Sequence, residues 1–202
     1  EVQKQYEYCQ GIVLIIDPFS IDSVRYKYER KLTAEDIAGI GRAEINEIIN
    51  TFLDKLRNVT GLSDRQMMKV PLAVVISKMD SASLATEFSE ARVNEFKNGY
   101  PFLDISYFDA LDHLCRKFLI DNGMAGFLSV IDTKFKNNRF FVCSAIGHTR
   151  DAGQYEPQGV MEPMEWLFQQ ADRKMKQYWN DRDFTKNPKK IFEKINGGGN
   201  FD

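Results

Sequence analysis

PLAVVISKMD (71–80) decides how this chain is read. Five apolar residues, Leu72–Ile76, follow a proline and do not alternate with polar ones. That is the pattern of a strand buried on both faces. The run then breaks at once into Ser77-Lys78-Met79-Asp80. A buried strand that surfaces into a polar tetrapeptide puts reactive groups at its carboxyl end, where open α/β sheets bind their ligands. Two more runs of the same kind lie on either side, IVLII at Ile12–Ile16 and FFVC at 140–143. They end in Asp17-Pro18 and Ser144-Ala145-Ile146-Gly147.

Helical patterns separate these runs. Ile45, Ile48, Ile49, Phe52, Leu53 and Leu56 recur on one helical face, and Gly61 follows as a stop. Phe108, Leu111, Leu114, Cys115, Phe118 and Leu119 form a second stripe, ended by Asp121-Asn122-Gly123. Phe127, Leu128, Ile131 and Phe135 form a third. Pro163 suits the first turn of a helix carrying Met164, Leu167, Phe168, Ala171 and Met175. The alternation of strands and helices predicts an α/β fold in three layers. Its centre is a partial doubly wound parallel sheet of three strands, near 12–16, 72–76 and 139–143 and adjacent in that order, with helices on both faces. The charged stretch 25–41, with two glycines, reads as an insertion or mobile loop. Residues 1–180 read as one domain and 181–202, ending GGGNFD, as a polar tail or linker.

Composition narrows the function classes. A net charge of -2 over 202 residues leaves no electrostatic footprint for nucleic acid or anionic lipid. No apolar run approaches the roughly 20 residues of a membrane span. Three cysteines without metal-type spacing argue against a disulfide framework, so a reducing cytoplasm is expected. His113 and His148 read as a helix-face and a loop residue, and Cys115 and Cys143 as small core residues. No metal ligands and no catalytic residues are assigned.

SKMD after a buried strand resembles the [NT]KxD guanine-specificity motif of P-loop (Ras-like, TRAFAC-type) GTPases, and SAIG after the next strand resembles their SA[KL]-type motif. Either match alone also arises from turn chemistry. Both at consecutive strand ends, in the family's order, carry the resemblance. With GIVLIIDPFSI and FFVCSAIGH, the text is most similar to bacterial double-GTPase-type domains associated with conflict or defence systems. The resemblance implies GTP or GDP as ligand. Guanine presents N1–H and N2–H₂ donors on one edge, which a single carboxylate can accept together, while adenine offers no such pair. A bidentate contact of that kind discriminates by roughly 1–3 kcal/mol. Asp80 would be the reader, with the Lys78 stem along the base and its ammonium near the ribose or phosphate loop. Ala145 would donate its N–H to guanine O6, beside Ile146, and Ser144 would brace the loop. Ser77 departs from the family's Asn or Thr, a shorter hydroxyl with less reach.

No GxxxxGK[ST] loop occurs in the sequence, and no DxxG segment precedes the first strand. The opening EVQKQYEYCQ reads as the last turns of the helix that normally follows that segment. The chain is therefore expected to be the base-recognition half of a GTPase-like domain, inactive alone, from a larger protein that binds and hydrolyses GTP. Magnesium would come only with the other half. The expected partner is that N-terminal half, in the same protein or another chain, with self-association through strand 12–16 as a further expectation. Two alternatives stay open: a GTPase-derived, non-enzymatic interaction or scaffold module, and part of an ATPase using Asp17 as a Walker-B residue. For Asp17 the favoured reading is a strand-end turn residue before Pro18.

Overall fold

A computed structural model describes residues 9–32, 34, 37, 40, 45–61, 63, 66–147 and 155–171. Met175, His148, the glycine run at 197–199 and the tail 181–202 lie outside these residues. Three strands, β1 (Ile12–Ile16), β2 (Leu72–Ile76) and β3 (Asn138–Val142), form one parallel sheet in the order β1-β2-β3. The register pairs Ile12 with Leu72 and Leu72 with Asn138. All three strands therefore release their following residues at the same edge.

Among the described residues the helices are α1 (Asp22–Tyr28), α2 (Ile45–Thr60), α3 (Glu90–Gly99), α4 (Tyr107–Asp121), α5 (Ala125–Lys134) and α6 (Glu162–Ala171). Alternation along β2 sends Leu72, Val74 and Ile76 into the main core, with Leu53 of α2, Leu111 and Leu119 of α4, and Ile131 of α5. Ala73 and Val75 face the other way and pack with Phe141 of β3 and with Trp166 and Leu167 of α6. The sheet thus carries helices on both faces, as the apolar runs predict.

β1 departs from that prediction. Its main-core face is covered, but Ile15 is 66% and Val13 39% exposed, so the strand is not buried on both faces. The reason is reach: α6 lies over β2, and its Leu167 extends only to the start of β1, where a Cβ on Gly11 would come within 3.0 Å of it.

Two helices were not legible as such. The stretch read as a loop from residue 25 begins inside α1, and a 3₁₀ turn, Glu29–Lys31, follows it. Its charge hides a narrow buried stripe of Ile21, Val24 and Tyr28 at i, i+3 and i+7. Between β2 and α4 the chain forms a 3₁₀ segment, Ser81–Phe88, and then α3. α3 buries only Val93 among its residues, and its start is set by Ser89, whose hydroxyl accepts the Arg92 N–H. β3, Asn138–Val142, lies one residue ahead of the expected 139–143, and α4 supplies partners for the two buried polar residues at its start. Arg139 donates to Asp109 at 2.8 Å, and Arg116 donates to the Asn138 side chain at 2.7 Å.

Candidate functional site

Parallel strands bring residue 17, residues 77–80 and residues 144–147 to one edge of the sheet. The middle segment is tied to both neighbours. On the β1 side, the Ser77 N–H donates to the Ile16 carbonyl at 2.9 Å and its hydroxyl to the same oxygen at 3.0 Å. The short serine side chain thus still joins two strand ends. On the β3 side, the Met79 N–H donates to the Cys143 carbonyl at 3.1 Å, and the Ser144 hydroxyl donates to Oδ1 of Asp80. Met79 packs against the main core, which anchors the tetrapeptide from below.

Lys78 has a φ of 56°, the one non-glycine residue with positive φ among those described. A side chain in that region costs about 1–2 kcal/mol, and here the bonds of Ser77 and Met79 on either side impose it. The Lys78 ammonium reaches back to Oδ2 of Asp17 at 2.7 Å, while Oδ1 of Asp17 accepts the Phe19 N–H at 3.0 Å and caps the 3₁₀ turn Pro18–Ser20. Asp17 is therefore a turn-capping residue, as favoured from the sequence, and also an ion-pair partner, which nothing in the sequence announces.

The third segment is held by a returning strand of backbone. Ser144 and Gln158 exchange two N–H···O bonds of 2.9 Å, and the Glu156 N–H donates to the Ile146 carbonyl at 2.9 Å. The approach is close enough to require glycine. At Gly147, with φ +87°, a Cβ would fall 1.8 Å from the Glu156 oxygen. At Gly159, with φ +67°, it would fall 2.1 Å from the Val142 oxygen. The Ser144 hydroxyl also accepts the Gly147 N–H at 2.7 Å, so one buried hydroxyl ties the loop to itself and to Asp80. Ala145 and Ile146 are exposed at its tip, and among the described residues no carbonyl accepts the Ala145 N–H.

Ser77, Lys78, Asp80 and Ser144 are thus joined into one bonded edge, and Ala145 and Ile146 project from it. A carboxylate offers about four lone-pair positions; Ser144 takes one of those on Asp80, so acceptor capacity remains. Burial, with the Asp80 charge adding to it, pushes the Cys143 thiol up. His113 is buried on α4 and stacked on Phe96 at 4.2 Å, and desolvation lowers its pKa to about 4. No group of three or more His, Cys, Asp or Glu side chains among the described residues could hold a metal ion. No helix among them is long and apolar enough to cross a membrane. Compared with protein-family models, curated proteins and solved structures, the chain matches none.

Proposed function

We propose that this strand edge is a guanine-recognition site, the base-reading half of a GTPase-like domain. The observation that carries the reading is the Ser144–Asp80 hydrogen bond, which joins two motif-like segments 64 positions apart into one unit. Asp80 accepts N1–H and N2–H₂ of the base, the exposed Ala145 N–H donates to O6, Ile146 flanks it, and Lys78 supplies a stem along the ring. The residues fit the base and ribose of GTP or GDP. They do not fit magnesium or the phosphates, and no step of hydrolysis is assigned to them. Those groups would be held by the N-terminal half of such a domain, in the same protein or another chain, and the assembled bacterial protein would act in the cytoplasm as a GTPase.

The test is a titration of the chain with guanosine and with xanthosine, followed by amide shifts of 77–80 and 144–147. Wild type should bind guanosine weakly and selectively. Asp80→Asn should lose about 1–3 kcal/mol of guanosine affinity and gain preference for xanthosine, whose C2 carbonyl accepts from the new amide. Unchanged guanosine selectivity in Asp80→Asn would overturn the reading. A second reading, an interaction module without catalysis, is favoured by the exposed face of β1, where Val13 and Ile15 lie open beside the covered strands.

A further inference from the structure

The Asp17–Lys78 pair goes beyond the motif residues. Its ammonium starts from the end of β2 and finishes at the end of β1, so the lysine stem spans the gap between the two strand ends. The carboxylate that receives it is fixed independently: Oδ1 is committed to the Phe19 N–H, and Pro18 and Phe19 are buried. The lysine backbone is held at φ 56°. Strain of this kind survives only where the surroundings over-determine it, and such residues cluster at binding sites. A rigid anchor at one end and a strained backbone at the other are more than a surface ion pair needs.

We propose that Asp17 is a positioning residue of the base site, holding Lys78 extended across the ends of β1 and β2 so that its methylene stem forms a platform for the guanine ring. The proposal rests on the guanine reading above and adds a residue that the motif does not contain. It also gives Asp17 a role other than metal ligation: one oxygen caps a turn, and the other holds a cation.

Guanosine titrations of wild type, Asp17→Asn, Lys78→Met and the double variant test it. The amide introduced by Asp17→Asn keeps an oxygen for the Phe19 N–H, so the melting midpoint should stay near wild type, while the ammonium loses its ionic partner. Guanosine should then bind about threefold more weakly, the scale of a partly exposed ion pair. The double variant should bind no more weakly than Lys78→Met alone, because Asp17 acts through Lys78. A merely structural Asp17 would instead weaken binding in both backgrounds alike. Equal weakening in the two backgrounds, or wild-type affinity in Asp17→Asn, overturns the proposal. Should Asp17→Asn melt early, Lys78→Met decides, since it leaves the cap intact and keeps an apolar stem without the ammonium; wild-type affinity there shows that the stem needs no anchored charge and overturns the role of Asp17. Loss of binding in Asp80→Ala with none in Asp17→Asn leaves the guanine reading standing and removes only the role of Asp17. Absence of saturable guanosine shifts in wild type removes both.

Discussion

Gly147 and Gly123 have nearly the same backbone, φ +87° and +83°, yet a methyl group would meet very different surroundings. At Gly123 nothing lies within 4 Å, whereas at Gly147 the Glu156 carbonyl occupies the space. Gly123→Ala should therefore cost only the left-handed strain, about 1–2 kcal/mol. Gly147→Ala adds a backbone collision and should cost more, and it should also displace the loop that carries Ala145. Urea unfolding of both variants, with guanosine titration, checks this. Equal stability losses would show that the 144–147 loop yields freely to its neighbour. The same comparison marks what was readable residue by residue. The placement of Asp80 and Ser144 just beyond strand ends was legible because each follows an apolar run. The hydrogen bond between them followed from strand adjacency, not from either motif. The Asp17–Lys78 pair was not legible, because its partners lie 61 positions apart and either residue has an ordinary explanation alone.

α4 shows why some elements declare themselves and others stay hidden. Its apolar stripe predicted its span, and Ser106 with Asp109 closes a capping box at its start. The same helix carries a polar face that the stripe gave no reason to expect in the interior. Arg116 is fully buried; it donates to Asp112 at 2.7 Å, to Asp132 at 3.0 Å and to Asn138 at 2.7 Å, and lies over the Phe140 ring. Asp112 also accepts the Phe140 N–H at 2.7 Å, so the network clamps α4 onto β3. Helical periodicity reports apolar burial and is blind to paired charges. That blindness left the buried pairings of Asn138 and Arg139 unread, just as weak stripes hid α1 and α3. Removing one member of a buried network leaves the others charged and unpaired, at a cost of about 3–5 kcal/mol. Arg116→Met should lose that much in chemical denaturation. A loss below about 1 kcal/mol would mean that the carboxylates find water or other partners, and that the clamp contributes little.

For the molecule as a whole, the consequential feature is the outer edge of β1. The Ile12 N–H donates to Pro71 and the Ile16 carbonyl accepts from Ser77. By the parallel ladder, the alternate residues Val13 and Ile15 then point their N–H and C=O groups away from β2. Their side chains are also the exposed ones, 39% and 66%, so among the described residues the strand is open at its edge and on one face together. It carries no charge, proline or glycine to discourage pairing, and edges of this kind recruit other strands. The overall order of three parallel strands was legible because parallel strands buried by helices read as continuous apolar runs. The openness of β1 was not, since an apolar run looks the same whether its second face is covered or awaits a partner. The edge should therefore be occupied, by a second copy of the chain, by the residues ahead of Cys9, or by the strand–helix half that a GTPase-like domain would add. Hydrogen exchange on the backbone amides of Val13 and Ile15, measured across a dilution series with sedimentation in parallel, separates these. Protection that falls with dilution marks self-association, and Ile15→Lys should then abolish it. Protection independent of concentration marks cover by the chain itself, and protection gained only with an added protein marks a separate partner strand. Fast exchange of both amides in a stable monomer that no partner protects would show an edge that is open and tolerated, and the expectation of a partner strand would fail.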